Sequence, residues 1–195
     1  MKAFKDYDKT QAYTSGGMKL PVGGYVLKIL AVKIIDGQNG NSDQMEISYD
    51  VAEGDHAEFY KRQYNSQQGE DKKWKGTTRI WLPKDDGTEK DEWTKRRFKT
   101  FIVSIEESND GFHWDWDENK LKGLLVGGVF NDKEWCLNGN TGFFTNLHHF
   151  VTAADIRENN FKIPDPTYLK DRPAAPADNG FVNIPAGAPE ELPFN

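Results

Sequence analysis

The sequence predicts a mainly β, α+β domain of five strands, with one long helix between the third and the fourth. Three observations carry that expectation. Val-, Ile- and Leu-rich runs are punctuated by Gly/Asn/Asp clusters, and one apolar stripe repeats at helical spacing. The 195 residues also include 12 Phe, 7 Tyr and 6 Trp, enough anchors for a packed core despite a mean hydropathy of −0.78.

Tyr25 to Ile35 reads as a long strand opened by the Gly23-Gly24 pair. The run from Asp36 to Asp43 is turn chemistry, and Gln44 to Val51 then alternates. Met45, Ile47, Tyr49 and Val51 fall on one face, with Gln44, Glu46, Ser48 and Asp50 on the other. Glu58 to Tyr64 fits either a strand or a short helix. Thr77 to Leu82 is a further strand, stopped by Pro83.

Thr88 with Asp91 three residues on resembles a capping box, and Glu89 to Glu107 follows as helix. Phe98, Phe101, Ile102 and Ile105 form its buried stripe, and Asn109-Asp110-Gly111 ends it. Leu124 to Phe130 is a strand expected to continue through Trp135. The turn Asn138 to Gly142 then leads into a return strand, Phe143 to Val151. Thr152 and Asp155 open a last short helix. This order is that of an OB-fold, a small five-stranded Greek-key barrel that binds single-stranded nucleic acid or oligosaccharide, although other α+β arrangements share it. The expected domain covers residues 1–163. Residues 164–195 hold seven of the nine prolines and read as a flexible, disordered Pro/Ala-rich acidic tail.

Charge is uneven along the chain. Residues 56–100 carry 12 basic and 8 acidic side chains, whereas residues 101–195 carry 7 and 15. A cationic segment set against an acidic tail suits a polyanionic partner. Within that segment cations and rings interleave, as binding a single strand by phosphate pairing and base stacking requires. Lys72, Lys73 and Lys75 surround Trp74, and Arg79 and Trp81 share one face of their strand. Tyr60, Arg62 and Tyr64 would align if their segment were extended. Arg96 and Lys99 project from the helix away from its buried stripe, and Trp93 also lies off it. Trp114 and Trp116 sit among acids that would repel phosphate, and read as structural anchors.

Other chemistries fit poorly. One cysteine, Cys136, makes no internal disulfide and no Cys-based zinc site. His148 and His149, adjacent on a strand, should point to opposite faces. No phosphate-binding loop of the G-x-x-x-x-G-K-[ST] type occurs, and no apolar run approaches the length of a membrane span. The expectation is a cytoplasmic binding protein rather than an enzyme, with no cofactor, no metal and no membrane partner.

The chain closes with Glu190-Glu191-Leu192-Pro193-Phe194-Asn195, which resembles the acidic tip of bacterial single-stranded-DNA-binding proteins, except that Asn195 follows the Phe. Further stretches are similar to a phage-encoded family associated with single-strand binding. They are Lys2-Ala3-Phe4-Lys5-Asp6-Tyr7, Asp71-Lys72-Lys73-Trp74, Trp93 to Lys99 and His113-Trp114-Asp115-Trp116-Asp117. That resemblance implies a non-sequence-specific single-stranded-DNA-binding protein of phage replication or recombination. It further implies that Glu190, Glu191, Leu192, Pro193 and Phe194 dock partner proteins, and a homo-oligomeric assembly is a weaker expectation. The alternative is an interaction factor that binds a host or phage protein without nucleic acid.

Overall fold

The computed structural model describes residues 18–38 and 40–169. The strands are β1 (Gly23–Ile35), β2 (Gln44–Val51), β3 (Thr77–Trp81), β4 (Leu125–Leu137) and β5 (Asn140–Val151). The helices are α1 (Phe59–Ser66), α2 (Glu89–Ser108) and α3 (Ala153–Arg157), with a single 3-10 turn at Glu118–Leu121. All five strands pair antiparallel in one sheet, in the order β3-β2-β1-β4-β5. The two edge strands do not pair with each other, so the sheet stays open where a barrel would close.

β1 is the spine. Residues Gly23 to Lys28 pair with β4 and Leu27 to Ile35 pair with β2, with a register shift between Ile29 and Ala31. Bulges bend a strand and increase its twist. Leu27, Ile29, Ile47, Val126 and Phe130 are fully buried on the concave side, where the Phe130 ring meets Tyr25 and Tyr49 edge-on at 5.6 and 6.1 Å. The stripe of α2 closes this core from one end, the ring of Phe101 lying 4.6 Å from that of Phe150. The other face of β1 and β4 is covered by α3 and Phe161. They come so near that a Cβ on Gly24 would lie 2.5 Å from the Phe161 ring, and one on Gly127 2.4 Å from the Thr152 carbonyl. Glycine is required there by close approach.

The helix ends follow the sequence signals. Thr88 Oγ1 accepts from the Asp91 amide, and Thr152 and Asp155 form a complete capping box. The Asp91 carboxylate, however, does not return to Thr88. It accepts from the Lys84 and Asp85 amides and pairs with Lys95, fixing the turn after β3.

One open alternative is resolved and two expectations change. The segment at Glu58 to Tyr64 is a helix, and its start is held by Asp50, a residue that strict alternation places on the solvent face. The buried Asp50 carboxylate accepts from the Val51, Tyr60 and Lys61 amides at 2.8–3.0 Å. These amides include two orphan donors of the first helical turn, so a tertiary cap replaces a local one. His148 and His149 do not point apart. Val129 pairs with His149 and Phe130 with Leu147, which leaves His148 as a bulged residue, and the two Nδ1 atoms lie 2.9 Å apart. Finally, the folded unit runs past residue 163. Thr167 bridges β4 at Lys133, Asn131 donates to the Asp165 carbonyl, and the Leu169 amide donates to Glu134.

Among the described residues no helix is long and apolar enough to cross a membrane. Asp50→Ala should lower stability by about 2 kcal/mol, because it strands buried amide donors as well as removing a cap. Urea unfolding followed by far-ultraviolet circular dichroism measures this, and an unchanged midpoint would refute the capping role.

Candidate nucleic-acid interface

Both open edges of the sheet line a single cleft of about 580 Å³. One wall is Tyr49, Tyr60, Gln63, Lys75 and Thr77; the other is Phe143 to Leu147 of β5, with Met18, Lys19 and Leu20 at one end. The sheet is therefore curled enough for β3 and β5 to face each other across this gap. Phe143 and Phe144 are 41% and 43% exposed, unusual for phenylalanine in a strand and suitable for stacking.

The segment from Gln67 to Gly76 is shaped by two side chains. The Gln67 amide brackets Lys73, donating to its carbonyl and accepting from its amide, both at 2.8 Å. The Trp74 indole donates to the carbonyls of Tyr49 and Gly76. Its ring packs beside Tyr60 and Tyr64, so Trp74 is a strut rather than a stacking platform. Lys72 lies over the Tyr64 ring at 5.8 Å. Among the described residues no carboxylate forms an ion pair with Lys72, Lys73 or Lys75, and of these three exposed cations Lys75 lines the cleft.

The remaining expected contacts divide. Tyr60 is buried on α1 with its phenol pushed up to about 12 by burial, and it presents no open face to a base. Burial likewise holds the Tyr49 phenol well above its ordinary value, so both remain neutral. Tyr64 is half-buried, while Arg62 is exposed on the same helix. Arg79 and Trp81 do share the outer face of β3, Ile80 pointing inward, but Arg79 is tied to Glu46 at 2.6 Å. Trp81 is exposed beside Lys84 and Lys90 in a smaller depression that shares no residue with the cleft. Arg96 and Lys99 are exposed on α2; Lys99 lines a separate groove of about 690 Å³ with Ile34, Met45, Phe98, Trp114 and Trp116. There Trp114 is half-buried, whereas Trp116, expected as an anchor, is 78% exposed, parallel to Phe98 at 6.3 Å and held at φ 70°.

The tip residues Glu190 to Phe194 and the stretch Lys2 to Tyr7 lie outside the described residues. Among the described residues no three His, Cys, Asp or Glu side chains gather as a metal site would require. No protein-family model matches the chain, and no curated protein is significantly similar to it.

Sequence reasoning missed Phe143 and Phe144. Their exposure depends on the seam staying open, which no local pattern encodes, although two adjacent Phe in a run without charge are a signal worth weighing. Trp74→Phe should lower stability by about 1–2 kcal/mol through the loss of its indole hydrogen bonds. An unfolding midpoint equal to the wild type in urea would contradict the strut assignment.

Proposed function

We propose that this chain is a non-sequence-specific single-stranded-DNA-binding protein whose strand lies in the cleft between α1–β3 and β5. The observation that carries the reading is the cleft itself, with Phe143 and Phe144 exposed at its β5 rim, one on each face of the strand, and Lys75 on the opposite wall. Phe143 and Phe144 stack bases, while Lys72, Lys73 and Lys75 neutralise phosphates. Arg62 extends this cationic side along α1. On this reading the open sheet, ordered β3-β2-β1-β4-β5, serves as an OB-like barrel left unclosed between β3 and β5, an architecture suited to this ligand. A role in phage replication or recombination, and partner docking through Glu190, Glu191, Leu192, Pro193 and Phe194, rest on the sequence resemblance alone.

A second reading has its own support. The groove holding Trp114 and Trp116 is apolar and bordered by charges of both signs, Asp85 and Glu118 with Lys95 and Lys99, which suits a protein surface better than a polyanion. An interaction factor using this groove would be indifferent to the cleft.

Anisotropy of a labelled oligo-dT separates the two. Phe143→Ala and Phe144→Ala should each weaken binding by about 1–3 kcal/mol, roughly five- to 150-fold, while Trp116→Ala leaves it unchanged. Replacing Lys73 and Lys75 with Ala should make the salt dependence shallower, by about 0.7 in log–log slope for each phosphate that is no longer neutralised. Absence of saturable binding by the wild type at low salt would defeat the DNA reading.

A further inference from the structure

A second cationic cluster lies farther along β5. Phe144 and His148 are four residues apart, about 13 Å along a strand, so the cleft's aromatic wall leads directly to the bulge. There the bulged backbone brings the imidazoles of His148 and His149 together, Nδ1 to Nδ1 at 2.9 Å and edge-on at 5.1 Å between centroids. Arg97 of α2 reaches the same place: its guanidinium donates to the His148 carbonyl at 3.4 Å. It also lies 4.8 Å from the centre of the Trp93 ring, which is 53% exposed. Stacking on an indole orients a guanidinium while leaving donors at its edge for a second partner. Among the described residues no carboxylate pairs with Arg97.

We infer that Arg97, His148 and His149 form a phosphate-contact site that takes a backbone phosphodiester of the strand leaving the cleft. The inference rests on the DNA-binding reading and deepens it, adding a contact whose charge depends on pH. A single shared proton satisfies the short Nδ1–Nδ1 contact; two protonated rings would repel across it. Free of ligand, both imidazoles are held below the ordinary histidine value. Burial is the largest cause for each, followed for His149 by His148, and the Arg97 charge acts on both. From β4 the facing residue is Val129, which carries no charge, and from α2 the charged group is Arg97. A phosphate between the rings and the guanidinium supplies the missing counter-charge, so the pair takes up protons on binding. Affinity must therefore rise as pH falls from neutrality through the histidine range.

The test is oligo-dT affinity at fixed salt from pH 8 to pH 5.5, a range in which thymine does not titrate. The full-length wild type is compared with the double variant His148→Gln/His149→Gln, and with Phe143→Ala as the cleft control. The wild type should tighten by about three- to tenfold towards pH 5.5, as expected when one group's pKa is raised by half to one unit on binding. The Phe143→Ala protein should be weaker at every pH with the same trend, and the double variant should lose the trend. Histidine Cε1–H resonances in NMR spectra give a readout independent of affinity, since both imidazoles should titrate at higher pH with oligo-dT bound. A double variant that keeps the wild-type pH dependence overturns the site while leaving DNA binding intact. So do histidine titrations that respond to inorganic phosphate but not to oligo-dT. Failure of the wild type to bind oligo-dT at any pH overturns this inference together with the reading beneath it.

Discussion

β1 has to serve two partners at once, and the remainder of the fold is arranged around that requirement. The buried backbone donors and acceptors of a central strand have to find partners. Here the match is split: the first half of β1 pairs with β4 and the longer second half with β2. The irregularity between Ile29 and Ala31 lets one strand turn from one partner toward the other. That bend curls the sheet enough to bring the rings of Tyr25 and Tyr49 both against Phe130. It also swings the two edges toward each other, so that residues of β3 and β5 border one cavity. The cleft is a consequence of how β1 is shared.

Buried polar groups then set what surrounds the cleft. Asp50 is on β2 yet starts α1, which places Tyr60 and Gln63 as cleft wall and sends the chain back through the Lys72–Lys75 segment. Asp91 has a comparable role at the end of β3, holding the turn into α2. Asn131, fully buried on β4, ties down Asp165 and Thr167 and so carries Tyr168 to the Phe143 ring at 5.9 Å. None of these is a surface ion pair, a kind of contact that contributes little. Asp50 and Asp91 accept from backbone amides, and Asn131 donates to a carbonyl and a hydroxyl; leaving such groups stranded is the more costly condition.

The elements that can be read from the sequence are those whose signal is local. Alternation in Gln44 to Val51 and the Phe98/Phe101/Ile102/Ile105 stripe report burial directly, since each side chain's direction follows from its own backbone period. α1 is ambiguous because its cap comes from another strand, and a helix of eight residues has little intrinsic stability. Tyr60 and Trp74 fit a stacking role in composition. Their burial follows from that same helix and, for Trp74, from the carbonyls of Gly76 and the distant Tyr49; neither the helix nor the Tyr49 contact leaves a mark in the neighbouring residues. The histidine pair escapes for a sharper reason. Strict alternation separates neighbours, and one inserted residue cancels it. Lys72, Lys73 and Lys75 are legible because an unpaired surface cation needs no tertiary partner to be recognised.

An open sheet leaves edge strands that proteins ordinarily protect with charge, proline or a covering element. β3 carries Arg79 on its outer face, but Asn140–Val151 of β5 contains no acid, no lysine, no arginine and no proline. For a bare edge this is a liability. On the proposed reading it is a condition of working: a carboxylate on β5 would repel the phosphates assigned to Lys73 and Lys75. The acids beside cleft residues are already engaged, Asp50 by the Val51, Tyr60 and Lys61 amides, Glu58 by Lys61, and Asp132, opposite Thr145, by Lys19. A bound strand would cover the exposed phenylalanines and the unpaired β5 edge in the same event. Edge protection and ligand binding then become one physical requirement, met by a single surface.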